Sequence, residues 1–325
     1  MNNPLFSVVI PAYNKAPHIQ RAIESVLNQS NKDYELIVID DASTDNSLSI
    51  IRDILKEVQN AIVLERDEPG PGGYAARNLG IHESRGKWIA FLDADDEWYP
   101  GLLDEYHQII ENNCECKFIA TAQKRVSEDG IETLDPYSKK NKQNDIKIFD
   151  LLEYSIAGGM GQNPIQTSSV CVSKNLLLEI GGFPHKRCVR GGDRDTWLRL
   201  LMVTDLYWTP FIGAVYYRDT VNMVTIDTPK SLTPCHEKTY KDILQNTDLR
   251  CKYGRGLCSI IKKQSNYEKK SLYKQMVFHG KLQMRDLKHL YKSQDLIFTA
   301  ILIFFAVLPG RLQKKIVRLF FFKGK

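Results

Sequence analysis

Residues 87–96 read KWIAFLDADD. An apolar run, Trp88 to Leu92, ends in three carboxylates, Asp93, Asp95 and Asp96. A short continuous apolar run of this kind predicts a strand buried on both faces. Carboxylates this close repel and raise one another's pKa, so the run must end either at something positive or in water. On an extended strand end, residues i and i+2 point the same way, which turns Asp93 and Asp95 toward one site.

The neighbouring segments repeat the pattern. FSVVI (6–10), ELIVID (35–40) and AIVLE (61–65) are further apolar strands. Between the first two, Ile19, Ala22, Ile23, Val26 and Leu27 fall on one face of a helix beginning near Pro17. Leu48, Ile51, Leu55 and Val58 do the same after the second, behind the cap-rich turn DASTDNS. PGPGGYAARNLG (69–80) is a loop running into a third helix. Strands alternating with helices, each strand apolar throughout, predict a parallel sheet covered on both faces. Ligands of such sheets bind beyond the carboxyl ends of the strands, where the polar clusters 11–14, 40–45 and 93–96 all fall. After residue 100 the pattern loosens. A helix is expected around Leu102–Ile110, strands at KFIATA (117–122) and SSVCVSK (168–174), a helix stopped by Gly181 and Gly182, an amphipathic helix over 193–202, a loop-like stretch at 127–147 and helices from about 230 onward.

Composition is that of a globular protein, 43% hydrophobic and 26% charged. The first residues, MNNPLFSVVIPAYN, carry none of the features of a signal peptide and read as the first strand of a cytoplasmic protein. Seven cysteines without a C-x-x-C pair predict reduced thiols rather than a zinc site or a disulfide framework. The net charge of +5 is uneven: residues 250–325 hold 18 Lys and Arg against 3 Asp and Glu, and the first 249 hold 26 against 36. A basic tail of this kind suits an anionic partner.

Three stretches in order, SVVIPAYNKAPHIQRAIESVLNQS, YELIVIDDASTDNS and ARNLGIHESRGKWIAFLDADDEW, resemble the family 2 glycosyltransferases of the GT-A fold. GGFPHKRCVRGGDRDTWLRL resembles the acceptor-side segment of the same family, so the resemblance spans about residues 5 to 202. It implies an α/β fold, a Rossmann-like mostly parallel sheet flanked by helices, followed by a helical basic C-terminal region. The expected divisions are 1–100 for the nucleotide-sugar half, 101–225 for the acceptor half and 226–325 for the C-terminal region.

By the same resemblance, Pro11 and Tyr13 would line the nucleotide pocket, and Asp41 would accept a hydrogen bond from the base, usually uracil. Arg77 would lie near the phosphates. Asp95 would ligate Mn²⁺ or Mg²⁺ directly, and Asp93 would hold the ribose or the metal's waters; hard oxygen ligands suit both ions. Asp41 could instead be a helix cap, Arg77 a surface ion pair and Tyr13 packing alone. In the family an acidic pair, usually Glu-Asp, precedes W-L-R-L, and its second member is the general base. Here the pair reads Gly192-Asp193, so the first acid is missing. Asp193 matches the base and is preferred over Asp195, although it could also be the N-cap of its helix. The implied reaction is an inverting transfer of a sugar from a nucleoside diphosphate sugar, with a UDP-sugar the expected donor, to a hydroxyl of a glycan or lipid-linked acceptor in bacterial surface polysaccharide synthesis.

Other classes fit less well. No G-K-[ST] follows the glycines of a P-loop, and no G-x-G-x-x-G follows the first strand. The Q-x-x-R-W motif and membrane spans of processive synthases are missing. A nucleotidyltransferase on a similar sheet, or a non-catalytic sugar-nucleotide-binding scaffold, are the alternatives. The tail holds the most apolar run of the chain, LIFTAILIFFAVL (296–308), then PGRLQKKIVRLFFFKGK. Thirteen helical residues reach about 20 Å, short of a bilayer core of about 30 Å. The expectation is a segment that dips into an anionic membrane surface through residues 296–325, placing the protein at the inner face of the cell membrane, with a buried C-terminal helix as the alternative. No nucleic acid is expected as a partner, because the tail carries no recognisable nucleic-acid-binding motif.

Overall fold

A computed structural model describes residues 3–142, 144–221 and 234–321. Ten strands form one sheet: β1 Phe6–Ala12, β2 Tyr34–Asp40, β3 Ala61–Glu65, β4 Trp88–Phe91, β5 Glu97–Trp98, β6 Phe118–Val126, β7 Glu132–Leu134, β8 Lys147–Phe149, β9 Val170–Ser173 and β10 Leu206–Tyr217. The main order is β3-β2-β1-β4-β9-β6-β10-β5. The first four strands are parallel, with Val8 opposite both Leu36 and Ala90. Beyond β4 the sheet is mixed: β9 runs antiparallel to β4 and β6, while β10 is parallel to β6. A mostly parallel sheet therefore describes only the first hundred residues. Apolar content reports burial on two faces but not strand direction, so β9 was legible as a strand and its orientation was not.

The helices divide between the faces. α1 (Ile19–Leu27), α2 (Ser47–Leu55) and α4 (Leu102–Asn112) cover one, burying Ala22, Ile23, Ile51 and Leu103 against Val8, Ile10 and Val38. α3 (Tyr74–Glu83) packs on the other with Val9, Ile37 and Ile39. α5 (Pro136–Lys140), α6 (Leu151–Gly159), α7 (Lys174–Glu179) and α8 (Gly192–Leu201) complete the first three-quarters. The stretch 127–147, expected as loop, holds β7, α5 and the start of β8; Asp135 caps α5 through the Tyr137 and Ser138 N–H groups. β10 was not anticipated, because Pro210 interrupts its apolar run; the ladder shifts register between Thr209 and Ile212, where a proline is tolerated.

The C-terminal region is helical: α9 (Glu237–Gln245), α10 (Thr247–Phe278, broken at Gly254), α11 (Leu296–Ala306) and α12 (Gly310–Phe321). α11 is not the buried helix that was the alternative reading. Only Thr299 and Leu302 are buried, whereas Leu296 is 71% and Ile297 78% exposed. Among the described residues no helix is long and apolar enough to cross a membrane. The end of the tail, 322–325, and the expected boundary at 225/226 lie outside the described residues.

One expectation is overturned. Cys188 and Cys235 form a disulfide across 47 residues, and five cysteines remain free. The fold brings the segment before α8 against the start of the C-terminal helices, a proximity that spacing in the sequence cannot reveal.

Candidate active site

The carboxyl ends of β1, β2 and β4 open on a common cleft of about 270 Å³. All seven residues singled out from the sequence line it: Pro11 at the end of β1 and Tyr13 after it, Asp41 after β2, Arg77 on α3, Asp93 and Asp95 after β4, and Asp193 on α8. Pro11 extends β1 two residues beyond Val9, the last to pair with Phe91 of β4, so its missing N–H costs no ladder bond on that side. The loops after β1 and β2 are stitched together. Asn14 Oδ1 accepts from Thr44 N at 2.7 Å, and Ser43 Oγ accepts from Asn14 N at 3.0 Å. Asn14 and Ala42 hold φ of 50° and 60°, left-handed conformations that side-chain-bearing residues seldom take outside constrained turns.

Asp41 is 1% exposed and is not a helix cap; Asp45 makes those local bonds, to Ser47 N at 2.9 Å and Ala16 N at 3.1 Å. Asp41 faces Arg66, and its Oδ2 accepts from Gly70 N at 3.0 Å. Burial raises its pKa against the opposing pull of Gly70 N–H and Arg66. Arg77 is no surface ion pair: it is 7% exposed, bonds Asp93, and donates to Gly72 O at 2.9 Å. Burial alone would lower the Arg77 pKa, but Asp93 outweighs it and raises it. Burial raises the Asp93 carboxyl; Arg77 opposes and Asp95 adds to it.

Asp96 turns the other way, because the strand ends at Phe91 and residues 93–96 form a turn in which Asp96 N donates to Asp93 O at 3.0 Å. It is 2% exposed, accepts from Ser168 Oγ and Tyr217 N, and ties β10 to the segment 167–169. Burial pushes its pKa well up, with Asp95 and Asp93 adding to the effect. The positive group demanded by the carboxylate cluster is thus a pair, Arg77 on Asp93 and Lys15 on Asp95. Lys15 Nζ lies 2.6 Å from Asp95 Oδ2, which also accepts from Thr220 Oγ1 at 2.9 Å.

This arrangement decides what a metal could use. Among the described residues no group of three His, Cys, Asp or Glu could hold an ion. A divalent ion sharing a diphosphate needs only one or two protein carboxylates, and Asp93 and Asp95 face the same cleft. The residues therefore fit an ion that arrives with a phosphorylated ligand, at the cost of the Lys15–Asp95 pair.

Asp193 and Asp195 are separated cleanly. Asp195 is 0% exposed; Oδ2 takes Arg187 Nη2 at 2.7 Å and Arg199 Nε at 2.8 Å, and Oδ1 takes Thr239 Oγ1 at 2.6 Å. Asp193 is half-buried in the first turn of α8, where the helix N-terminus favours negative charge. It lines the cleft, and its carboxylate has no hydrogen bond to any described residue. The cap position is Gly191, so Asp193 is not its helix's N-cap. Asp193 thus faces the cleft without a hydrogen-bond partner among the described residues, whereas both oxygens of Asp195 are taken up.

Sequence reasoning missed Lys15, Tyr74, Gln166, Thr167, Arg190 and Tyr216, which also line the cleft. Lys15 sits one residue beyond PAYN, at the same strand end, and position alone could have marked it. Tyr74 lies three residues before Arg77 on the same helix, and Gln166, Thr167, Arg190 and Tyr216 come from segments whose place in the sheet was not readable.

The sequence profile described as Glycosyl transferase family 2 matches residues 7–162, a span that stops short of Asp193. The chain is 33% identical over 127 residues, 39% of its length, to the Bacillus subtilis putative teichuronic acid biosynthesis glycosyltransferase TuaG, covering 50% of that protein. It is 40% identical over 124 residues, 38% of its length, to an uncharacterized glycosyltransferase of Rickettsia felis, covering 20% of it. The chain thus spans half or less of these relatives. A Haemophilus influenzae uncharacterized glycosyltransferase is 25% identical over 77% of this chain and 82% of its own length. In fold, the chain is similar to S. aureus TarS residues 1–349, solved in complex with UDP-GlcNAc, with a TM-score of 0.71 at 16% identity over 97% of this chain and 88% of that one.

Proposed function

We propose that this chain, which belongs to glycosyltransferase family 2, transfers a sugar from a nucleoside diphosphate sugar to a hydroxyl of a glycan or lipid-linked acceptor, with inversion at the anomeric carbon. The observation that carries the reading is the convergence of seven residues, chosen from separate stretches of sequence, on one cleft at the carboxyl ends of the parallel strands. The donor is a UDP-sugar, in keeping with the TarS complexes with UDP-GlcNAc and with UDP.

In this reading Asp41 receives the base at the bottom of the cleft, Tyr13 and Pro11 flank it, and Arg77 faces the diphosphate. Asp95, with Asp93 beside it, would hold Mn²⁺ or Mg²⁺ together with the donor's phosphates, and the ion would neutralise charge on the departing diphosphate. Asp193 takes the proton of the acceptor hydroxyl as its oxygen attacks the anomeric carbon; the C–O bond to the diphosphate breaks and UDP leaves with the electron pair. Holding both substrates in one cleft supplies much of the rate.

The acceptor is a surface polysaccharide precursor at the inner face of the cell membrane. The support is α11, whose Ile297 and Phe304 are exposed, followed in the chain by exposed Val307 and by exposed Arg311, Lys314 and Lys315 on α12: an exposed apolar helix running into a basic one suits an anionic lipid surface.

The test is a panel of nucleotide sugars with Mn²⁺ and Mg²⁺, reading released nucleoside diphosphate for the protein, Asp95→Ala and Asp193→Asn. One UDP-sugar should give metal-dependent UDP, Asp95→Ala should abolish it, and Asp193→Asn should bind UDP but turn over at least a hundredfold more slowly, on the order of what general-base loss costs. Failure of every nucleotide sugar to bind or turn over would refute the reading.

A further inference from the structure

Gly192 stands where the preceding acid of the base pair is expected, and the structure shows what fills that space. A Cβ on Gly192 would lie 2.7 Å from Tyr74 Cζ and 2.8 Å from Cε2. Gly72, with φ of 68°, faces the same ring; its Cβ would lie 2.5 Å from Tyr74 Cε2. The ring is 4% exposed and stacks on Phe183 with centroids 6.2 Å apart. It therefore cannot yield to a side chain at 192. Its hydroxyl accepts from Gly192 N at 2.9 Å. That N–H belongs to the first turn of α8 and has no partner within the helix, and the cap residue, Gly191, has no side chain to offer. Burial and the charge of Asp193 raise the Tyr74 pKa, so the group stays a neutral phenol.

We infer that Tyr74 is the positioning residue for Asp193. It is the first residue of α3, the helix that carries Arg77, and it holds the first turn of α8 one residue before the base. A single ring thus fixes the distance between the group facing the diphosphate and the group facing the acceptor hydroxyl. Gly192 is the counterpart that makes room for it, which explains why a family member can lack the first acid and keep the second. The inference rests on the transferase reading.

The experiment compares the parent with Tyr74→Phe, Gly192→Ala and Gly192→Ala/Tyr74→Ser, using UDP release from the active donor with water as acceptor, UDP binding by calorimetry and thermal melting. Tyr74→Phe keeps the ring and removes only the acceptor. It should lower kcat about tenfold, the worth of one hydrogen bond, with KM for the donor and Kd for UDP unchanged within twofold and with the acid limb of the kcat–pH profile displaced. Gly192→Ala should lose both Tm and kcat, and adding Tyr74→Ser, which trades the clash for a cavity beside Phe183, should recover neither. Unchanged kcat and pH profile in Tyr74→Phe would overturn the inference, as would kcat, Kd and Tm all worsening together, the pattern of a merely structural ring. A parent that neither binds UDP nor turns over any donor would overturn the transferase reading and this role with it, whereas a Tyr74→Phe variant as fast as an active parent would overturn this role alone.

Discussion

Asp193 and Asp195 lie two residues apart on one helix and should fail in opposite ways. Asp195 is fully buried and accepts from Arg187, Arg199 and Thr239 at 2.6 to 2.8 Å. Asp195→Asn preserves shape, removes the charge between two guanidiniums and sets an amide donor against donors. Breaking a buried ionic network by removing one partner costs about 3 to 5 kcal/mol. Arg187 is partly exposed, which places the expectation at about 3 kcal/mol. At roughly 2 °C per kcal/mol for a chain of this size, the melting temperature should fall by roughly 6 °C. Asp193→Asn touches no described hydrogen bond and should stay within about 0.5 kcal/mol of the parent. Its effect belongs in turnover, a loss of about 10² to 10⁴. Differential scanning fluorimetry and UDP release on the same preparations separate the two. A stable, inactive Asp195→Asn beside an unstable, active Asp193→Asn would refute the assignment of roles.

Further expectations follow from other parts of the molecule. Glu268 on α10 is buried, which alone would raise its pKa, but Arg194 and His236 pull it down to about 2. A depressed carboxylate stabilises the fold above its unfolded value of 4.5, and that contribution is lost as pH falls from 4.5 through 2. The parent's Tm should therefore drop over that window, by roughly 3 kcal/mol of stability, and Glu268→Gln should start lower at pH 7 and lose less; identical acid profiles would contradict the network. Thiol titration of the unfolded, unreduced protein should find five free cysteines, and seven would show that Cys188 and Cys235 are not joined. Sedimentation with vesicles should require anionic lipid and weaken with salt. Reversing Arg311, Lys314 and Lys315 to Glu should weaken it at least a hundredfold, at about 1 kcal/mol per charge; equal binding to neutral vesicles would discard the electrostatic part of the docking surface.

The parts of the fold that could be read in advance are those in which one residue pattern has one structural outcome. Val8, Val38 and Ala90 sit in runs apolar on both faces, and such runs ended by Asp40–Asp41 or Asp93–Asp95 announce both a central strand and the edge where ligands bind. β10 hid behind Pro210, and β9 entered the sheet reversed, because direction leaves no trace in hydrophobicity. The carboxylates of the site were visible; their partners were not. Lys15 reaches Asp95 across 80 residues, and Tyr74 meets Gly192 across 118. The absence of an acid at 192 looked like a defect in sequence and becomes intelligible only with the ring of Tyr74 in place. The tail was legible as apolar and basic, while its exposure depended on how α11 packs.

If the cleft receives a uridine diphosphate as proposed, Asp41 should govern its binding. Calorimetric titration of UDP with Mn²⁺ into the protein and into Asp41→Ala tests it most directly. The parent should bind at one site per chain and Asp41→Ala at least tenfold more weakly, the worth of one charge-assisted hydrogen bond to a buried carboxylate. A parent that binds no UDP, or an Asp41→Ala variant that folds and binds UDP as tightly as the parent, would contradict it.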